Sequence, residues 1–175
     1  MNEEQRKLCR GLIMSPRGSR EISKETFLQR FPSAVDDGGL ALKWLDEAYR
    51  ARHAKDLDCS LIVGFVFGFT PEHVVILCRL VDADWHHSHE DVVSALDELR
   101  TPAAAEALFR ATRWVPKYLE FDDSRALASK AIWALGKLAG GEAESKLAIL
   151  AASDDEFLRN AALKQIERRR RSVVR

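Results

Sequence analysis

The sequence predicts an all-α protein whose helices stack as antiparallel pairs, an α-solenoid. Three observations predict it. Apolar residues recur at helical spacing along most of the chain, and strand-like alternation is nearly absent. The segments 70–79 (TPEHVVILCR) and 101–110 (TPAAAEALFR) share Thr, Pro, Leu and Arg at the same positions. The phrase Ala-Leu-x-x-Leu opens at Ala95 and again at Ala134, and a close variant opens at Ala162. One helical pair of this kind cannot bury its own apolar face, so successive pairs must stack.

The elements follow in order. Residues 3–13 form a first helix and SPRGSRE a loop. Ser23 caps SKETFLQRF, which Pro32 ends. DDGGL then opens ALKWLDEAYRARH, with Leu42, Leu45 and Tyr49 on one face and Trp44 in the core. The most apolar stretch, CSLIVGFVFGF, is about half the length a membrane-spanning helix needs, and it reads as a buried helix. From residue 55 onward the pairs begin. Their first helices fall over 57–68, 89–100, 124–138 and 155–168, and their second helices over 71–82, 102–113 and 142–151. Thr70 and Thr101 stand as caps, with Pro71 and Pro102 at the first helical position, where a missing N–H costs nothing. The alanine of each Ala-Leu-x-x-Leu lets a neighbouring helix approach, and the larger residues fill the seam. Trp133 is assigned to the core, and Gly136, Gly140 and Gly141 to helix packing and helix ends.

The pattern DxxVxxALxxLxxPxAxxAL resembles a HEAT repeat. Val92, Ala95, Leu96, Leu99, Pro102, Ala104, Ala107 and Leu108 carry it, with His89 in place of the opening aspartate. The next unit is FDDSRALASKAIWALGKLAGGEAESKLAIL, where Gly140-Gly141 replaces the usual proline, and SDDEFLRNAALKQIE is a last half-unit. The resemblance spans roughly residues 55–168. It implies a right-handed α-solenoid, an N-terminal helical cap over 1–54, HEAT-like repeats over 55–168 and a basic tail over 169–175, in one compact domain overall.

Composition sets bounds on function. Lys and Arg total 27 and so do Asp and Glu, which argues against a surface that grips nucleic acid everywhere. Cys9, Cys59 and Cys78 form no CxxC pair, and an odd count cannot make a full disulfide framework, so a reducing cytoplasm is expected. The opening MNEEQRKLCRGLIMSPRG is acidic at its start and too weakly apolar for a signal peptide, and no membrane partner is expected.

The stretch WHHSHEDV gathers His86, His87 and His89, and Asp82 and Asp84 could assist a metal there. No HExxH and no distant Cys pair completes such a site, so no metal is expected. Ser88 and Asp91 fit a variant capping box, with Glu90 and Asp91 in the first turn of a helix. Ser60, Ser88, Ser124 and Ser153 lie in no catalytic motif, and no phosphate-binding glycine loop exists. Neither catalysis nor a cofactor is expected. ERRRRSVVR reads as a solvated helix end, where cations suit the dipole.

The topology singles out one edge. Turns within pairs are short: Phe69-Thr70-Pro71, Arg100-Thr101-Pro102 and Ala139-Gly140-Gly141. Loops between pairs are longer and collect aromatics with acids. Asp82, Asp84, Trp85, His86 and His87 come from the first, Trp114, Tyr118, Phe121, Asp122 and Asp123 from the second, and Asp154 and Asp155 from the third, with Glu120 among them. Aromatics beside charge are the material of protein-binding hot spots, and acids select a basic partner. Histidine protonation near neutral pH would tune the contact.

The chain is similar to small bacterial HEAT-repeat proteins of the toxin-immunity kind. That likeness implies a non-catalytic binding module that occludes a cognate toxin, a basic toxin or nuclease domain being the complementary partner. The alternatives are a nucleic-acid-binding or DNA-glycosylase-like protein using Arg79, Arg110, Arg113 and Lys117, and a general scaffold. Nucleic acid is the weaker expectation, because these cations are few.

Overall fold

A computed structural model describes residues 1–14, 18–34, 38–121 and 125–173. All regular structure among them is helical. The chain divides into two compact units, Met1–Ile76 and Leu77–Arg175.

The first unit holds α1 (Glu3–Gly11), α2 (Lys24–Arg30), α3 (Gly39–Ala51) and α4 (Ala54–Phe67). Asn2 and Gln5 form a reciprocal capping box at the start of α1, and the Ser23 hydroxyl accepts from the Thr26 amide at the start of α2. Gly38, just before α3, has φ 69° and sits against the Gly68 carbonyl, so only a residue without Cβ fits. α4 packs on α1 and α3. The core between them includes Cys9, Phe27, Trp44, Cys59 and Val63, so Trp44 is internal as expected. The division between units falls after Ile76 rather than at residue 54. α4 is buried on most of its circumference, and its Cys59 and Val63 belong to this N-terminal core.

α5 (Val74–Leu80) crosses into the second unit, which continues with α6 (His89–Leu99), α7 (Ala105–Arg113), α8 (Ala126–Lys137), α9 (Gly141–Ala151) and α10 (Glu156–Val173). A 3₁₀ turn, Pro102–Ala104, leads into α7 with its proline at the first position, although Thr101 makes no side-chain cap bond. α8 packs against both α6 and α10, while α7 packs against α9. Three ion pairs mark the order. Glu90–Lys130 and Asp97–Lys137 join α6 to α8, and Glu106–Lys146 joins α7 to α9. The second pair lies two turns beyond the first on both helices, so α6 and α8 run parallel and in register. Ala95, Ala134 and Ala162 are fully buried at the seams between these neighbours.

Two expectations change. Trp133 is 48% exposed, not core. The buried stripe of α8 comprises Leu127, Ala128, Ala131, Ile132, Ala134 and Leu135, and Trp133 lies on the opposite side, with the Arg168 guanidinium 4.4 Å from its ring centre. The basic run is not a separate tail, since α10 continues through it to Val173. Gly136 does mark a close helix contact: a Cβ there would collide with Gln165 of α10. No helix among the described residues is long and apolar enough to cross a membrane.

Candidate functional site

The loop that leaves α5 is pinned by two imidazoles. His86 lies 2.9 Å from the Leu80 carbonyl through Nε2, and its Nδ1 accepts the Ser88 amide at 3.1 Å. The proton therefore sits on Nε2 and donates to Leu80, whose carbonyl at the end of α5 also accepts the Ala83 amide at 3.2 Å. His89 repeats the arrangement. Its Nε2 donates to the Ala83 carbonyl at 2.8 Å, and its Nδ1 accepts the Tyr118 hydroxyl at 2.9 Å. The two rings stack with centres 4.0 Å apart. Burial pushes His86 down to about 4, and the neighbouring His89 adds to the shift. Burial also lowers His89. Both imidazoles stay neutral near pH 7, which removes them as switches at that pH.

Aromatic rings extend this pair outward. Trp85 meets His86 edge-on at 5.0 Å, Trp114 meets His89 at 4.6 Å, and Tyr118 lies 4.5 Å from the His87 ring. The loop after α7 is thereby fastened to the loop after α5. It is fastened onward as well: Arg125, at the start of α8, pairs with Asp155 at 2.5 Å and covers the Phe157 ring at 4.9 Å. The loops after α5, α7 and α9 are thus linked in series.

Their side chains differ in what they offer. His86 is buried and presents no surface to a partner. Asp82 is gripped by both arms of Arg110, at 2.7 and 3.2 Å, and Arg110 also donates to the Cys78 carbonyl. Asp155 caps α10 by accepting the Leu158 amide at 3.1 Å. That bond, then Arg125, holds its carboxyl below the ordinary carboxylate range. Ser88 occupies the N-cap position of α6 without a side-chain cap bond to the helix amides. The Ser88 amide instead satisfies His86. Trp85 and Trp114 are half-buried, while Asp84, His87 and Asp154 are exposed. Asp122 and Asp123 lie outside the described residues.

The outermost groups are apolar. Phe121 is 93% exposed, Val115 54% and Tyr118 36%. Val115 escaped notice in the sequence, although its place between Trp114 and Pro116, off the helical period, was the available signal. Among the described residues, no group of three or more His, Cys, Asp or Glu side chains could hold a metal ion. The hydrogen bonds of His86 and His89 are all directed to partners within the fold. The arrangement is a hydrogen-bonded aromatic base bearing a few exposed apolar and acidic groups. No protein-family model, curated protein or solved structure matches the chain.

Proposed function

We propose that the chain is a non-catalytic protein-binding module, built as a right-handed HEAT-like solenoid with residues 1–54 as its cap, whose loop edge docks a basic partner. The observation that carries this reading is Phe121. A phenylalanine 93% exposed, with exposed Val115 and Tyr118 on the same loop, is unsatisfied by its own fold. Such groups become binding anchors when a partner removes them from water. The loop is already held by Tyr118 on His89, so little ordering entropy opposes binding. Asp84, Glu120 and Asp154 are exposed on the three loops, outnumbering the exposed Lys117 of this one, and favour a cationic partner. The parallel, in-register ion pairs between α6 and α8 support the repeat architecture. Within it, the likeness to toxin-immunity proteins favours a bacterial cytoplasmic role in which this edge covers the cleft of a toxin or nuclease domain.

The rival reading, a duplex grip, loses one of its cations, because Arg110 is taken up by Asp82. The decisive experiment mixes the purified chain with the product of the adjacent gene and follows association calorimetrically, alongside a protection assay in cells. A complex should form, and Phe121→Ala should weaken it by about thirtyfold, equivalent to roughly 2 kcal/mol at a central anchor. Absence of a complex, or a Phe121→Ala variant that binds as well as the parent, overturns the proposal.

A further inference from the structure

α10 is open at a position where its counterparts α6 and α8 are covered. Ala162 is as buried as Ala95 and Ala134, so the seam to the preceding helix is complete. The next position departs from the series: Leu96 and Leu135 are 0% exposed, whereas Leu163 is 49% exposed. Glu156 stands two turns before Leu163 and Arg170 two turns after it, all on one face of the helix. Both charges are exposed, and neither has an ion-pair or hydrogen-bond partner among the described residues. The arginines around Arg170 are taken up: Arg169 pairs with Glu144, Arg171 with Glu167, and Arg168 lies over the Trp133 ring. Lys164 projects about 100° around the helix from Leu163.

Beside this line an open cleft of about 840 Å³ runs between α9 and α10. Leu147, Ala148 and Ile166 make its floor aliphatic, and Arg170 lines it on the α10 side. The exposed line therefore reads acid, apolar, base in order along α10, with further apolar surface on its Ile166 side.

Such a line is complementary to itself when reversed. About a two-fold axis at Leu163, two antiparallel copies of α10 set Leu163 against its own counterpart. Glu156 of each copy then meets Arg170 of the other. Parallel copies would place like charges opposite each other, so charge fixes the direction. We propose that this face of α10 is the contact surface for a second copy of the chain, which docks as an isologous dimer with antiparallel α10 helices crossing at Leu163. Helices packed about 8–10 Å apart bring a central line of side chains into contact. The second copy also shields Ile166 at the cleft from water. The contact is small, so the dimer is weak and depends on the two ion pairs that flank its centre. It leaves the loop edge free.

Sedimentation velocity of the full chain at about 0.01 M salt, where screening is weakest, should show a monomer–dimer equilibrium that shifts with concentration. Glu156→Arg and Arg170→Glu each set like charges opposite and should weaken the dimer by at least about tenfold. Combining the two substitutions restores both pairs with their signs exchanged, and should return association to within about threefold of the parent. A mixture of the two single variants should associate more tightly than either alone, and supplies the same test if the double variant unfolds. Leu163→Cys brings a thiol against its own copy on the two-fold axis, so mild oxidation should link those chains faster than chains carrying Lys164→Cys. Phe121→Ala leaves the equilibrium unchanged. Circular dichroism melts establish that the variants are folded. A chain that stays monomeric, single variants that dimerise like the parent, no recovery on exchanging the charges, or equal cross-linking at the two positions overturns the proposal.

Discussion

His86 joins the end of α5 to the start of α6 with a single ring, donating to Leu80 and accepting from Ser88. Protonation would place an N–H on Nδ1 directly against the Ser88 N–H, and the charge would have to form out of reach of water. The folded state therefore resists the proton: burial holds His86 at about 4, against 6.5 for the ordinary side chain. The unfolded chain takes the proton first, so this contribution to stability is complete above pH 6.5 and is lost as pH falls through about 4. Its size is about 3 kcal/mol. Urea unfolding of the parent should weaken steadily over that range, and a His86→Gln variant, less stable at pH 7, should show a visibly flatter profile between those limits. Equal slopes for the two proteins would sink the assignment. None of this could be read from the letters WHHSHEDV. The histidines reach back six residues to carbonyls and across to Tyr118, and both connections depend on how the loop folds over the end of α5. The aromatic and acidic composition of the edge was legible. Which members face inward was not, because Asp82, His86 and Asp155 satisfy local hydrogen-bonding needs that sequence spacing does not encode.

Helices were the most legible level, because apolar period, prolines and capping residues all act locally. α6 through α10 begin within two residues of their expected positions, apart from the 3₁₀ turn that starts the second helix of a pair. The error at Trp133 is instructive, since hydrophobicity alone assigned it to the core. The angular position was available in the sequence: Leu127, Ala131 and Leu135 mark one face of α8, and Trp133 projects from the other. Its exposed ring instead supports Arg168. Adjacent arginines on α10 show how position decides value. The Arg169 guanidinium donates to the Gly136 and Leu138 carbonyls, which have no helical partner at the end of α8, and also binds Glu144. Arg170 lines the open cleft. Arg169→Ala should cost about 1.5–3 kcal/mol, as expected for losing charged hydrogen bonds to half-buried carbonyls, while Arg170→Ala should stay within about 0.5 kcal/mol of the parent. Denaturant midpoints of the two variants check this, and equal losses would show that Arg169 does not hold the end of α8.

At the scale of the whole chain, the balance of 27 cations against 27 anions conceals a segregation. Within the second unit, exposed Asp84, Glu120, Asp154 and Glu156 lie on or beside the loops, with exposed Arg113 and Lys117 among them, whereas Arg168, Arg170 and Arg171 gather near the end of α10, where Arg171 is paired with Glu167. The sequence showed both groups as runs along the chain. It could not show that the first is mounted on a hydrogen-bonded aromatic base while the second rims an apolar cleft, because both facts arise from packing between helices distant in sequence. The division of the chain after Ile76 was hidden for the same reason: an almost uniformly apolar helix such as α4 does not announce which neighbours will cover it. The segregation has a measurable consequence. With a sequence pI near 7.0, no net charge keeps copies apart at neutral pH, so the acidic edge of one copy and the basic helix end of another attract when screening is weak. The Debye length is about 30 Å at 0.01 M salt and about 8 Å at 0.15 M, so the attraction should fade over that range. Sedimentation velocity at pH 7 should show a larger weight-average mass at about 0.01 M salt than at about 0.15 M. Reversing Arg168, Arg170 and Arg171 to glutamate should abolish the difference, because repulsion from the acidic edge then replaces attraction. An association insensitive to salt, or one that survives the reversal, would show that apolar contact rather than charge brings the copies together.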